Sequence, residues 1–164
     1  VQGKDGWWTK NFVTGQVDTI YHASRKYMEE GIPVIGIGSK QYGQGSSRDW
    51  AAKGPALLGM KAVLIKNIER IHRSNLIGMG VLPLQFEPGE GWRELGLDGT
   101  ESFDITGISE GLTPLKKLDV TVTKTDESKI SFKVTARLDT EVEIEYFRFK
   151  GILNYVLGQL TSEQ

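Results

Sequence analysis

The chain has 164 residues, a formal net charge of −1 and no cysteine. This length is enough for one domain with a buried core, and the near-neutral charge excludes a strongly basic protein that binds nucleic acid mainly through its charge. The absence of thiols excludes disulfides and any cysteine-ligated metal or cluster held by this chain itself. Because His22 and His72 are the only histidines, we predict no metal ligands in the chain.

The hydropathy of the chain and its first residues lead to expectations about membrane partners, compartment and origin. No apolar run reaches the roughly 18 residues of a membrane-spanning helix, so we expect no membrane partner. The first residues, Val1 to Asp5, have neither the charged nor the apolar region of a signal peptide, which makes the cytoplasm the default compartment. They also lack an initiator methionine, and we therefore expect the chain to come from a longer parent protein.

The N-terminal region predicts one irregular segment and one helix. Residues 1–16 are rich in glycine, and we expect their aromatic side chains to pack against the rest of the domain: Trp7, Trp8 and Phe12. Asp18 is placed to cap a helix over 18–30, and Gly31 is placed to end it.

The next region predicts buried strands that alternate with helices. The predicted order is strand, helix, strand, helix and strand, over residues 33–38, 48–59, 61–65, 68–79 and 82–86. Such an alternation predicts parallel strands, with the helices as crossovers.

Beyond Glu87 the pattern changes to turns and antiparallel strands. The predicted elements are a short strand, the two strands of a hairpin, a further strand and an apolar helix, over 102–105, 118–125, 129–137, 141–147 and 151–160. No repeat or linker divides the chain, so we predict a single domain over 1–164. Its class is α/β, with a parallel β-α-β core plus antiparallel hairpins.

A glycine-rich loop leaves the first of these buried strands and enters the next helix. It reads Tyr42-Gly43-Gln44-Gly45-Ser46-Ser47-Arg48-Asp49-Trp50. The first N–H groups of a helix have no partner within it and, with the helix dipole, attract anions. Gly43 and Gly45 allow close approach of the backbone. Ser46 and Ser47 add hydroxyls, and Arg48 offers a planar fork that suits a carboxylate. The loop therefore predicts a carboxylate or phosphate site.

Two better-known anion loops do not match this one. It lacks the Gly-Lys-Ser/Thr of a Walker loop, and it lacks the third glycine and the later acidic residue of a dinucleotide-binding loop. The alternative interpretation is structural: a plain glycine turn in which Ser46 or Ser47 caps the helix and Arg48 is solvated. Spacing alone leaves both interpretations open.

A second informative segment runs from Ile68 to Gly80. Its apolar residues fall at helical spacing and predict a buried stripe: Ile68, Ile71, Leu76 and Met79. The polar residues would then lie at polar or edge positions: Arg70, His72, Arg73 and Asn75. We interpret the segment as an amphipathic helix with a solvated basic face, and His72 as a hydrogen-bonded structural residue rather than a catalyst.

The two segments together resemble a known family. Tyr42-Gly43-Gln44-Gly45-Ser46-Ser47-Arg48-Asp49-Trp50-Ala51-Ala52-Lys53-Gly54 resembles the signature loop of aconitases. Glu69-Arg70-Ile71-His72-Arg73-Ser74-Asn75-Leu76-Ile77-Gly78-Met79-Gly80-Val81-Leu82-Pro83-Leu84 resembles the helix and strand that follow in the same family. Weaker matches over 18–31 and 146–160 extend the resemblance over most of the chain, and it is vaguest over 87–140.

The resemblance implies a swivelling β/β/α domain, the aconitase C-terminal fold shared with the small subunit of 3-isopropylmalate dehydratase. It implies an aconitate hydratase, a lyase of the tricarboxylic acid cycle that interconverts citrate and isocitrate through cis-aconitate. In the family, other domains of the same parent bind a 4Fe-4S cluster through three cysteines. Those cluster-bearing domains and the tricarboxylate substrates would be the partners of this chain, and the chain alone would be inactive.

The resemblance also implies roles for residues of the loop. Ser46 matches the catalytic base, which would act as an alkoxide on a carbon-bound proton. Ser47 and Arg48 match binders of a substrate carboxylate, and Gly45 lies in the same binding loop. Because a serine hydroxyl is a very weak acid, Ser46 would need concentrated positive potential from N–H groups, a helix start and an arginine. A further substrate-binding arginine of the family has no match in this chain.

Three alternatives keep part of this interpretation. A 2-methylcitrate dehydratase would have nearly the same loop. The small subunit of 3-isopropylmalate dehydratase usually continues with Ser-Arg-Glu-His, whereas this chain has Ser47-Arg48-Asp49-Trp50. The third alternative is an iron-regulatory protein that binds RNA hairpins through Arg48, Arg70 and Arg73, which the near-neutral charge supports little.

Overall fold

The computed structural model describes residues 3–162, which form a six-stranded mixed sheet, a separate two-stranded hairpin and five helices. The strands are β1 (Trp8–Lys10), β2 (Val17–Thr19), β3 (Val34–Ile37), β4 (Met60–Ile65), β5 (Leu82–Phe86), β6 (Ser102–Thr106), β7 (Lys117–Thr123) and β8 (Lys129–Ala136). The helices are α1 (Ile20–Glu29), α2 (Arg48–Leu57), α3 (Arg70–Gly78), α4 (Glu141–Arg148) and α5 (Ile152–Ser162). The large sheet has the strand order β3-β4-β5-β8-β7-β6.

The parallel part of the sheet contains β3, β4 and β5. Ile37 pairs with Leu64 between β3 and β4, and Leu64 pairs with Leu84 between β4 and β5. Most side chains of β4 and β5 are buried, eight of eleven, as expected for parallel strands covered on both faces. The predicted parallel pairing is therefore confirmed.

The antiparallel part contains β6, β7 and β8, and β8 connects it to β5 of the parallel part. Leu84 pairs with Ala136, and β8 in turn pairs with β7, where Val120 lies opposite Phe132. Buried and exposed residues alternate along β7 and β8 because one face of this part meets the core and the other meets solvent. This confirms the predicted hairpin.

Two apolar clusters fix the helices to the sheet. In the smaller one, Val63 of β4 lies with Ala52 of α2 and Leu76 of α3, all of them fully buried. In the larger one, residues from β4, β5, β7 and β8 pack with Leu97 and Leu112 from the segments that flank β6. Each fully buried leucine stabilises the fold by about 1.5–3 kcal/mol. This packing places α2 and α3 together against β4 of the parallel part.

The predicted strand over 141–147 is wrong, because these residues form α4. The hydroxyl of Thr140 accepts a hydrogen bond from the backbone N–H of Glu143 and so caps the helix. Acidic residues in the first turn and Arg148 in the last turn suit the helix dipole. Ile144 is fully buried against the larger cluster. Local capping and burial thus outweigh the polar–apolar alternation of this short stretch.

Three further predictions for the N-terminal region need correction. Residues 1 and 2 of the predicted irregular segment lie outside the described part. Within it, β1 and β2 form an antiparallel hairpin, with Thr9 opposite Asp18. Helix α1 is capped by Thr19, whose side chain accepts from the N–H of His22, rather than by Asp18. The aromatic side chains expected to pack are exposed, most of all Trp7 at 80%.

Among residues 3–162, no helix has the length and apolar character that a membrane crossing needs.

Candidate functional site

The loop between β3 and α2 is tied to the start of α3. The N–H of Tyr42 donates to the carbonyl of Asn67 over 3.2 Å, and the N–H of Glu69 donates to the carbonyl of Tyr42 over 2.9 Å. Tyr42 and Ile68 form a parallel bridge that continues the pairing of β3 and β4. The carboxyl ends of parallel strands meet at one edge of a sheet, so this bridge brings the starts of α2 and α3 together.

Gly43 allows the loop to lie directly on α3. Its φ is +87°, and a Cβ atom at this position would lie 2.3 Å from the Cβ of His72. Any side chain would therefore overlap with the His72 ring and strain the backbone. Gly45 differs, because a Cβ there would meet nothing within 4 Å.

His72 has a structural role in the site. It is 1% exposed, its ring lies 5.3 Å from the ring of Tyr42, and its Nδ1 lies 3.3 Å from the carbonyl oxygen of Arg48. A carbonyl can only accept, so Nδ1 carries the proton in this hydrogen bond. Burial lowers the pKa of His72, against the opposing effects of the Arg48 carbonyl and Glu69. This geometry matches the interpretation of His72 as a hydrogen-bonded structural residue.

Arg48 is held in place by two acceptors. Its Nε donates to the carbonyl of Gly45 over 2.9 Å, and its Nη1 donates to Oε2 of Glu69 over 2.9 Å. The side chains of this ion pair are 27% and 26% exposed. Within residues 3–162, Nη2 has no hydrogen-bond partner. The alternative in which Arg48 is simply solvated is therefore wrong, and one nitrogen of the fork remains available to a ligand.

The start of α2 is open. Ser47 occupies the capping position, but its hydroxyl makes no capping hydrogen bond. The first bond into the helix is from the N–H of Ala51 to the carbonyl of Ser47, over 3.1 Å. In the described part of the chain, neither the first-turn N–H groups nor the hydroxyl of Ser46 has an acceptor or donor partner. This arrangement is the one that binds anions at a helix start.

A cleft of about 420 Å³ lies at this point. It is lined by Ser46, Ser47, Arg48, Asp49, Trp50, Ile71 and Asn75. The structure thus brings together Ser46, Ser47 and Arg48, while Gly45 stands beside them and holds Arg48 through its carbonyl. Ile71 was predicted to be buried, and this is wrong, since it is 49% exposed and forms a wall of the cleft. Asn75 lies one turn further along the same face of α3.

The predicted basic face of α3 is also wrong in part. Arg70 is exposed as expected, but His72 and Arg73 are buried. Arg73 Nη1 donates to Glu143 Oε2 over 2.8 Å and to the carbonyl of Arg137 over 3.0 Å. Although burial opposes it, the hydrogen bond and charge of Glu143, together with Asp139, raise the pKa of Arg73. Arg73 therefore fastens α3 to the rest of the fold and does not face a ligand.

Comparison with known families places the chain in one of them. The model of the aconitase C-terminal domain matches residues 1–89, which include the loop, α2, α3 and β5. The chain belongs to this family. Similar curated proteins include aconitate hydratase A of Corynebacterium jeikeium, 51% identical over 167 residues, with 99% of this chain and 18% of that protein covered. Aconitate hydratase A of Thermus thermophilus is 49% identical over 163 residues, with 99% and 18% covered. The Pseudomonas aeruginosa protein of the same name is 52% identical over 158 residues, with 96% and 17% covered.

The fold is also found in a solved structure. A 3-isopropylmalate dehydratase from Methanocaldococcus jannaschii superposes with a TM-score of 0.54 over 89% of this chain and 81% of that chain, at 17% sequence identity. At this identity the likeness concerns the fold alone. This family member therefore has the mixed parallel and antiparallel architecture expected of an aconitase C-terminal domain. It spans about 18% of the length of the curated relatives it matches.

Proposed function

We propose that this chain binds the substrate carboxylate and supplies the catalytic base in an aconitate hydratase that interconverts citrate and isocitrate through cis-aconitate. One observation carries the proposal: Arg48 is clamped with Nη2 free, beside the unpartnered hydroxyls of Ser46 and Ser47 at the open start of α2. The relatives of about half identity that bear the name aconitate hydratase A support the choice of reaction.

The cleft has groups for a tricarboxylate on more than one side. Nη2 of Arg48 would donate to one carboxylate oxygen, and the first N–H groups of α2 would donate to another. The hydroxyl of Ser47, which makes no capping bond, can rotate to donate to the same ligand. Ile71 would exclude water from one wall and so strengthen these charge interactions.

Ser46 would take the proton from the carbon that is to become part of the double bond, while hydroxide leaves from the neighbouring carbon. The proton goes to Oγ, and in the hydration direction Oγ returns it. Neither histidine is hydrogen-bonded to Ser46, because His72 is bound to the Arg48 carbonyl and His22 pairs with Asp18. Its activation therefore depends on the positive charge of Arg48 and on the helix start, both of which stabilise an alkoxide.

The 4Fe-4S cluster of the family does not fit this chain. The sequence has no cysteine, and in the part between residues 3 and 162 no group of three or more His, Cys, Asp or Glu side chains could hold a metal ion. We propose that the cluster is bound by other domains of the parent protein, and that this chain alone is inactive. We also propose that the parent protein is a cytoplasmic enzyme of the tricarboxylic acid cycle, and that residues 1–164 form one swivelling domain of it.

The RNA-binding alternative loses part of its support. Of its three arginines, Arg73 is fastened to Glu143 and Arg137, and Arg48 is paired with Glu69. Only Arg70 is left exposed, which provides little positive surface for a phosphate backbone. We therefore favour the enzyme.

The test is turnover of citrate and isocitrate by the full-length parent, reconstituted anaerobically with iron and sulphide. Ser46→Ala should lower kcat by about a thousandfold or more with a modest change in KM, as expected for a lost base. Arg48→Lys should raise KM, because an ammonium group cannot keep the contacts of the guanidinium with Gly45 and Glu69 and at the same time place a donor where Nη2 lies. Ser109→Ala is a matched control, since this serine is exposed outside the cleft.

Three results would contradict the proposal in different ways. If Ser46→Ala stays within about tenfold of wild type, a loss of only ~1.4 kcal/mol, Ser46 is not the base. Turnover of 2-methylcitrate without turnover of citrate would change the substrate and keep the mechanism. Inactivity toward all of these acids, combined with salt-sensitive binding of an RNA hairpin, would favour the regulator.

A further inference from the structure

Glu69 is a carboxylate whose side chain joins both helices of the site, through Arg48 of α2 and the N–H of Ile71 of α3. Its Oε2 accepts three hydrogen bonds: from Arg48 Nη1 over 2.9 Å, from the N–H of Ile71 over 2.8 Å and from the N–H of His72 over 3.3 Å. The last two cap α3. A single oxygen atom thus connects the arginine of α2 to the start of α3.

We propose that Glu69 is a positioning residue for Arg48, so that the free Nη2 of the fork points into the cleft before a ligand binds. The proposal rests on the proposed function. A free arginine side chain has many rotamers, and a ligand that fixes one of them has to offset the lost rotamer entropy. An arginine that is already fixed avoids this cost and binds more tightly.

Two contacts define the plane of the guanidinium group. The carbonyl of Gly45 holds Nε, and Glu69 holds Nη1. Because Nε is already occupied, a carboxylate cannot bind along the Nε–Nη2 edge in the bidentate manner. A ligand carboxylate is therefore expected at the Nη2 end of the guanidinium group, where the start of α2 supplies further donors, so that two elements orient the ligand.

A negative charge beside an anion site requires a reason. Glu69 accepts two N–H groups of α3 in addition to Arg48, and the positive end of the α3 dipole offsets its charge. The competing idea is that Glu69 occupies Arg48 and that the ligand must displace it. The two ideas predict opposite signs: loss of a positioning residue weakens binding, whereas loss of a competitor strengthens it.

Substitutions can separate positioning from helix capping. Glu69→Gln keeps an oxygen that accepts from both Arg48 and α3, without the charge. Glu69→Ser keeps a good helix cap but is too short to reach Arg48. Glu69→Ala removes both contacts. Glu143→Ala is the matched control, because Glu143 is also paired with an arginine over 2.8 Å but lies away from the cleft.

The experiment uses the full-length parent and measures the Kd of propane-1,2,3-tricarboxylate, which has no hydroxyl to eliminate, together with kcat, KM and melting temperature. We expect Glu69→Ala and Glu69→Ser each to raise Kd and KM about tenfold with a smaller change in kcat, although Glu69→Ser recovers the melting temperature. Glu69→Gln should stay within about threefold of wild type. Added to Arg48→Ala, Glu69→Ala should raise Kd little further, because the two residues act as one unit.

Each remaining outcome overturns the proposal. Wild-type binding by Glu69→Ser would show that Glu69 only caps α3. Tighter binding by Glu69→Ala would show that it competes with the ligand. Equal weakening by Glu143→Ala would show a general loss of stability. If the wild-type parent neither binds nor converts any tricarboxylate, the proposed function itself fails. If the wild-type parent does both, the proposed function stands, and the three results above then concern the role of Glu69 alone.

Discussion

The parallel and antiparallel parts of the sheet differ in what they contribute: the parallel part positions the cleft, and the antiparallel part supplies apolar core. In the parallel part, β4 and β5 are mostly buried, and every residue that lines the cleft belongs to the loop and helix α2 that follow β3 or to helix α3 that follows β4. In the antiparallel part, β7 and β8 expose one face, and no residue of either lines the cleft. The antiparallel part supplies much of the larger apolar cluster instead.

The difference follows from strand direction. Parallel strands place their carboxyl ends, and the helix starts after them, at one edge of the sheet, so polar groups from distant positions converge there. Antiparallel strands turn back through short hairpins, which spread their polar groups over both edges and over the solvent face. The groups of the candidate site therefore lie between residues 42 and 75, and most of the larger apolar cluster lies further along the chain.

The largest expected effect breaks the parallel part at the loop. Gly43→Ala would place a Cβ 2.3 Å from the Cβ of His72 at a φ of +87°. We expect it to lower the free energy of unfolding by about 3–4 kcal/mol, from overpacking together with backbone strain. Gly45→Ala is the control, because the space around it is open, and it should change little. Urea denaturation of both variants checks this, and equal stability would show that the loop can move away from α3.

A somewhat smaller effect is expected at the contact that joins the two parts. Arg73→Met leaves Glu143 without its arginine partner, whereas Asp139 keeps its ion pair with Arg137. We expect a loss of about 2–3 kcal/mol in the free energy of unfolding. Lys133→Met is the comparison within the antiparallel part, since its ion pair with Asp119 is more than 60% exposed. That change should cost less than about 0.5 kcal/mol. Similar losses for both would contradict the tight coupling of α3 to α4.

The smallest expected effect strengthens the antiparallel part alone. Glu127, in the turn between β7 and β8, has a φ of +66°. Because glycine adopts this conformation without strain, Glu127→Gly should raise the free energy of unfolding by about 0.5–1 kcal/mol. Thermal denaturation measures the gain, and citrate turnover by the parent should not change. A lower melting temperature would mean that the flexibility gained by the unfolded chain outweighs the strain relieved.

Most of the sheet could be predicted from local patterns. The apolar stretch over 82–86 predicted β5 with its observed bounds, and the alternation on either side of residues 126–128 predicted the β7–β8 hairpin. Both patterns are strong because burial on one or two faces leaves a direct trace in the sequence. The anion site could also be predicted from a local pattern, because glycine, serine and arginine stand together in the sequence at one helix start.

The errors have a different origin. The segment from Glu141 to Glu145 alternates polar and apolar residues, but the cap at Thr140 and the ion pair between Glu143 and Arg73 decide in favour of a helix. Arg73 was placed on a solvated face because nothing near it in the sequence shows a partner 70 residues away.

The contact between Glu69 and Arg48 could not be predicted from the sequence for a related reason. The two residues are 21 positions apart, and only the pairing of β3 with β4 brings them together. Contacts of this kind depend on the topology of the sheet, which no local pattern records.

The place of β8 beside β5 has a consequence for biosynthesis. Until β8 emerges, the outer edge of β5 has no strand to pair with, although the cleft and both of its helices are already synthesised. The last residue of β8 follows that of β5 by roughly 50 residues, which takes about 3–10 s at ordinary rates of translation. During this interval the nascent chain presents an apolar strand edge, the kind of surface that chaperones cover and that misfolded chains share. Slow codons between the two strands would lengthen this exposure.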